Sequence, residues 1–137
     1  MTQENKSLVC AFVEAVNAQD WKRTRALLAP DFQRHSVAAG QIKSAEELIT
    51  FLQAEYLTFP DANELLLDLV AEGSKVAARQ EFSGTQLGPM GVYPATGRVL
   101  RATYLAIYRI SNGVIAESWA EWDNLAGLRQ LGHHSAA

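Results

Sequence analysis

Near residue 62 the hydrophobic period of this chain changes, and that change limits what it can fold into. Before it, apolar residues recur three and four apart; after it, they tend to alternate along runs of ten or more residues. In the first half, Leu8, Val9, Phe12, Val13 and Val16 mark one face of a helix that Asn17 and Asp20 end. Asp20 is placed to cap a second short helix, "WKRTRALLA". "DFQRHSV" reads as a short strand, and a third helix begins at Ser44, with Glu47 completing a capping box, and stops at "FPD". In the second half, "KVAARQEFSGT", "RVLRATYLAIYRI" and "GVIAESWAEWD" are strands separated by turns at "EGSK" and "SNG". "NELLLDLVAEG" is strand-like, although Leu-rich enough to compete as a helix, and "NLAGLRQLG" is a helical turn or loop.

Helices gathered ahead of a meander of long strands predict an α+β domain over residues 1–132, with 133–137 as a tail. Strands of that length twist and curve. A curved sheet closed by helices on its concave side is a cone, and an open cone is a pocket. The Gly- and Pro-rich connection "GPMGVYPATG" is placed to cover it.

Composition narrows the functional classes. The 137 residues are 48% hydrophobic and 20% charged, with a formal charge of −3 and scattered basic residues. That distribution offers no concentrated positive field for a nucleic acid. No apolar run reaches the ~20 residues that cross a bilayer, and the polar "MTQENKSL" lacks a secretory layout, so a cytoplasmic protein without membrane contact is expected. Cys10, the one cysteine, has no disulfide partner in the chain and is expected in the core. There is no P-loop, no G-x-G-x-x-G after a strand and no G-x-S-x-G elbow.

The candidate chemistry lies on the strands. In "VIAESWAEWD" the odd positions Ile115, Glu117, Trp119, Glu121 and Asp123 form a bulky acidic face, and the even ones a smaller apolar face ending in Trp122. Neither is an ordinary solvated face. One is expected to line the pocket and the other to meet a second copy of the chain, since isologous pairs are the commonest oligomers. With the odd face inside, Asp123 becomes a carboxyl among aromatic rings, where burial raises its pKa toward the range useful for proton transfer. The alternative is that Asp123 caps "NLAGLRQL". Arg79 is read either as a donor to a ligand oxygen or as the ion-pair partner of Glu117 or Glu121. An unperturbed imidazole suits proton shuttling, which makes His35 a candidate, yet a lone His is also an ordinary structural residue. His133 and His134 lack partners at metal spacing and belong to the tail.

Several segments form an ordered pattern: "FVEAVNAQDWKRTRALLAPDF" (12–32), "FPD" (59–61), "AARQEFSGTQLG" (77–88), "YPATGR" (93–98), "YRISNGVIAESWAEWD" (108–123) and "LRQLG" (128–132). Arg79 stands before "GT", a Thr-Gly precedes Arg98, and Glu117, Trp119 and Asp123 precede "QLG". The set resembles the SnoaL-like polyketide (ester) cyclases of the NTF2-like superfamily. The resemblance implies a usually dimeric α+β cone with neither metal nor organic cofactor. It also implies an intramolecular aldol closure of a polyketide ester, with Asp123 as general acid/base and His35 in the pocket. Arg79 or Gln86 would then donate hydrogen bonds to the enolate, and Tyr104, Trp119 and Glu121 would complete the substrate contacts. The chain departs from the pattern in two places: Gln86 stands where a His is frequent, and Tyr104 and Ala106 stand where an ionisable partner is frequent. The rival readings are an isomerase or epoxide hydrolase on the same cone, or a non-catalytic module that binds a small molecule or dimerises.

Overall fold

The structure is a computed structural model that describes residues 1–134. Helices α1 (Thr2–Asn17) and α2 (Trp21–Ala26) lead into strand β1 (Leu28–His35) and helix α3 (Ala45–Thr58). Strands β2 (Asn63–Glu72), β3 (Lys75–Thr85), β4 (Val99–Ser111) and β5 (Val114–Glu121) then form a meander, and helix α4 (Asn124–Gln130) follows. The five strands make one sheet in the order β1-β5-β4-β3-β2. Only the β1–β5 pair is parallel. The α+β reading therefore holds.

The helix ends follow the local chemistry. Asp20 accepts from the Arg23 amide, and Ser44 from the Glu47 amide, each at 3.1 Å. Glu47 reaches back to the amide of Lys43, so orphan donors are met from both sides of the turn. Val9, Phe12, Val13 and Val16 of α1 are buried in the core with Phe32, Tyr56 and the inward residues of β3, β4 and β5. Cys10, expected in the core, is a half-buried free thiol that is not part of that cluster. No helix of the described residues is long and apolar enough to cross a membrane.

Two β-bulges set which side chains enter the cone. In β2 the register slips between Leu66 and Asp68. Glu64 and Leu66 face inward before it, and Leu69 after it, a spacing of three that also explains why this Leu-rich run competes as a helix. In β5, Ile115 and Glu117 oppose consecutive residues of β4, so Ala116 is the extra residue. Simple alternation breaks there. Ile115 is fully buried inside, and beyond the bulge the inward set is Ser118, Ala120 and Trp122.

Candidate active site

The concave side of the sheet, α1, α3 and the start of α4 enclose a cavity of about 500 Å³. Its walls are apolar, with Phe12, Phe32, Phe51, Leu52, Phe82 and Trp122 among them. Set into these walls are Arg34, Glu55, Glu64, Gln80, Tyr104 and Tyr108. Such a hollow, with a few convergent polar groups, is the usual form of a small-molecule site.

Glu64 is held by its own backbone. β2 is an edge strand, and the Asn17 side chain meets the free side of it. Asn17 donates through Nδ2 to the Glu64 carbonyl and accepts from the Glu64 amide, each at 2.8 Å. The side chain then meets Gln80 on β3. Gln80 Nε2 donates to the Tyr104 hydroxyl at 2.9 Å and reaches Glu64 Oε2 at 3.5 Å. Tyr108 gives its proton to Gln80 Oε1 at 2.5 Å. The Tyr108 proton is thereby committed to Gln80, whereas Tyr104 accepts from Gln80 and directs its own proton to Glu64.

Burial governs the titration of this cluster. It pushes the Glu64 carboxyl up to about 8, helped by the negative charge of Glu55 and opposed by the bonds from Tyr104 and Gln80. Glu55 is pushed up to about 7 by burial, against the pull of Arg34. Tyr104 and Tyr108 both lie above the usual phenol range for the same reason. Arg34 is lowered by burial and supported by Glu55. Its guanidinium lies 4.5 Å from the centre of the Phe51 ring.

The residues singled out from sequence are divided between two faces. Tyr104 lines the cavity. Asp123 is on its rim, exposed, and caps α4: Oδ1 accepts from the Ala126 amide at 3.0 Å. The others do not line it. Because of the Ala116 bulge, Trp119 and Glu121 turn to the outer face, where Glu121 accepts from the Val37 amide at 2.7 Å. His35 is also outside, between Gln41 at 3.0 Å and Glu117 at 2.6 Å, against the Trp119 ring. Arg79 points outward to Asp68 at 2.6 Å, not to Glu117 or Glu121. Gln86 is fully buried beneath the connection, donating to the carbonyls of Tyr93 and Pro94 and contacting His133 at 2.8 Å.

That last contact corrects the reading of the tail. His133 packs on Tyr93 with ring centres 4.7 Å apart, so it helps hold the 88–97 connection. The rest of the expected tail, 135–137, lies outside the described residues. The connection itself is drawn onto the end of α3, where the amides of Leu87 and Gly88 donate to the Thr58 carbonyl. A Cβ on Gly88 would overlap the Leu57 carbonyl oxygen, so only glycine allows this approach. Met90 and Gly91 thereby reach the cavity.

Glu64, Glu55, Arg34, Gln80 and Tyr108 were missed from sequence, although a signal existed for two of them. In "DFQRH", Arg34 shares parity with Phe32, not with Gln33 and His35; in "ARQEF", Gln80 shares parity with Ala78 and Phe82, not with Arg79. Fixing each strand's face by its aromatic anchor turns Arg34 and Gln80 inward. Among the described residues, no group of three His, Cys, Asp or Glu side chains is arranged to hold a metal ion.

Comparison with known proteins agrees with this architecture. Residues 6–131 match the sequence model of the SnoaL-like polyketide cyclases. TsrD from Streptomyces laurentii is similar over 98% of both chains, at 31% identity and a TM-score of 0.87. IdmH from Streptomyces antibioticus, provisionally a polyketide cyclase, is 32% identical over 93% of this chain and 98% of its own, with a TM-score of 0.82. An M. tuberculosis LEH-like epoxide hydrolase shares the fold at 16% identity, over 95% of this chain and 90% of its own, with a TM-score of 0.77. No curated protein matches the chain.

Proposed function

Because the chain belongs to the SnoaL-like polyketide cyclase family, we propose that its cavity closes a ring in an apolar, polyketide-like carbonyl compound by acid–base chemistry, with Glu64 as the proton acceptor. The observation that carries this reading is the Glu64 carboxyl, set in an apolar hollow and raised by burial to about 8. A base with a pKa near the working pH combines a usable ionised fraction with real proton affinity. Glu64 takes a proton from the carbon beside a carbonyl. The Tyr104 hydroxyl, whose proton is directed at Glu64 before substrate enters, turns to the enolate oxygen as charge develops there. The enolate carbon attacks a second carbonyl of the same molecule, forming one C–C bond and opening one C=O π bond. The new alkoxide recovers the proton from Glu64, so the step is balanced without oxidant or reductant. The aromatic walls fold the chain so that both carbons meet.

A second reading places proton transfer at Asp123, in line with the family resemblance. Its rim position favours it, and only Oδ1 is engaged in the cap. The two readings separate in one experiment. Hydrogen–deuterium exchange at the methyl group of 2-acetonaphthone, followed by NMR, reports enolate formation with no need for the natural substrate. Glu64→Gln is expected to slow enzyme-promoted exchange by about 100-fold or more, the size of a general-base contribution. Asp123→Asn, which keeps a cap-competent side chain, is expected to stay within about threefold. The reverse pattern transfers the role to Asp123; no acceleration by the native protein overturns the enolate chemistry.

The outer sheet face supports a homodimer. Leu65, Val99, Leu105 and Ile107 are exposed on it. Leu105→Glu is expected to yield a monomer by light scattering if the faces pack together.

A further inference from the structure

The proposed ring closure leaves one titratable group of the cavity without a task. Glu64 takes and returns a proton and Tyr104 donates to the enolate, so the proton count closes without Glu55. Glu55 is nevertheless built into the cavity wall. On α3, Leu48, Phe51, Leu52 and Glu55 recur three and four apart and all line the hollow, so a carboxyl stands in an otherwise apolar stripe. Its place is fixed by the turn that follows. The Glu55 carbonyl accepts from the Phe59 amide at 2.8 Å, and the Ala62 amide returns to the Phe59 carbonyl at 3.0 Å. Phe59 is buried and meets the Phe82 ring edge-on, with centres 5.2 Å apart. This tight turn carries Glu55 and Glu64, nine residues apart (64 − 55), to one cavity from its two arms. Among the described residues, no ion pair or side-chain hydrogen bond reaches the Glu55 carboxyl. Its oxygens are not among the polar atoms sealed off without a partner, and the residue keeps some accessible surface. Arg34 acts on it through space, but burial outweighs that pull and keeps a proton there into the neutral range.

A second acid is what the loss of water from an aldol requires, because hydroxide is a poor leaving group until it is protonated. We infer that the site carries ring closure one step further and expels water from the aldol, with Glu55 as the acid that protonates the departing hydroxyl. This rests on the reading of Glu64 as the base. Once Glu64 has returned its proton to the alkoxide it is ionised again, and the repulsion between the two carboxyls holds the proton on Glu55. Glu64 then takes the hydrogen that remains on the carbon that attacked, and Tyr104 again donates to the enolate oxygen. The enolate electron pair forms a C=C bond, the C–O bond breaks, and the hydroxyl leaves with the Glu55 proton as water. Passage of a proton from Glu64 to Glu55 restores both carboxyls, so the step needs no oxidant or reductant. The substrate class follows: the attacking carbon is a CH2 beside a carbonyl, since a carbon with one hydrogen has none left after the C–C bond forms. The product is a ring with a C=C bond conjugated to that carbonyl.

The probe is the uncharged β-hydroxy ketone made from 2-naphthaldehyde and acetone. Its dehydration to the conjugated enone is followed by absorbance, and any cleavage back to 2-naphthaldehyde is separated by chromatography. Native protein is expected to accelerate enone formation, and Glu55→Gln to slow it by about 100-fold or more, the size of a general-acid contribution. Exchange on 2-acetonaphthone needs no acid at the hydroxyl, so in Glu55→Gln it should stay within about threefold of native at about pH 7.5, whereas Glu64→Gln loses both reactions. Glu55→Asp, a shorter acid, should keep part of the dehydration. Melting curves establish folding, and Glu55→Met replaces Glu55→Gln if that variant fails to fold. Enone formation that survives Glu55→Gln overturns the inference, as does native protein that yields only 2-naphthaldehyde or leaves the probe intact. Equal loss of dehydration and exchange in Glu55→Gln also overturns it, since Glu55 then acts only through Glu64. Exchange without dehydration removes the dehydration alone and leaves ring closure standing. Glu55-dependent dehydration without exchange removes the reading of Glu64 in ring closure and leaves Glu55 as the acid.

Discussion

The two faces of one sheet treat their charges in opposite ways. On the outer face, Arg79 pairs with Asp68, Arg101 with Glu81, and Glu117 with both Arg109 and His35. His35 and Arg109 accordingly hold the Glu117 carboxyl below the usual range. On the inner face, Arg34, Glu55 and Glu64 share one hollow without an ion pair between any two of them. Exposed pairs of the first kind contribute little, because water already solvates both members. Buried groups of the second kind carry a desolvation cost that a fold retains where function requires it. The charges that look like a site because they have partners are therefore scaffold, and those without partners are the candidates for chemistry.

This contrast can be broken most sharply by pH. Glu55 and Glu64 have their pKa values raised in the folded protein, from an ordinary 4.5 to about 7 and about 8. Between those limits the folded chain holds protons that the unfolded chain has released. Stability therefore falls as pH rises from about 4.5 to about 8 and levels off above it, with a slope of up to about 1.4 kcal/mol per pH unit for each group. Urea unfolding across that range checks it. The double variant Glu55→Gln, Glu64→Gln should flatten the slope.

A smaller effect is expected at Arg34. Replacing a buried cation that has no ion-pair partner with Met should raise stability by about 1–3 kcal/mol. The measurement belongs at pH 6, where Glu55 is mostly protonated and has no need of Arg34. A lower melting temperature for Arg34→Met would mean that the guanidinium is structurally paired, and the contrast between the faces would weaken. Smallest of all is Arg79→Ala on the outer face: loss of its exposed pair with Asp68 should cost less than about 1 kcal/mol and leave acetonaphthone exchange unchanged.

Much of the scaffold was legible from local chemistry. The period of α1, the caps at Asp20 and Ser44, and the alternation of β3 and β4 each depend on neighbours within a few residues, and each stands where it was expected. The cap at Asp123 was legible for the same reason, as one of two open readings, and its bond to the Ala126 amide is formed. The face assignment of β5 was not. It followed strict alternation from Ile115 to Asp123, and the extra residue at Ala116 exchanges the two faces beyond it. A bulge is written in the pairing with β4, not in β5 itself, so no reading of that segment alone could locate it.

The amino-acid sequence by itself determined the order of helices and strands, most of their ends, and the family, because those follow from short-range spacing and ordered motifs. The second helix is the exception, since α2 stops at Ala26 and Leu28 already opens β1. Tertiary structure alone decided which polar groups were shut away together. Glu55, Glu64, Arg34, Gln80 and Tyr104 come from α3, β2, β1, β3 and β4, up to 70 residues apart in the chain (104 − 34). Their titration depends on the depth and dielectric of a hollow that exists only once those elements close around it.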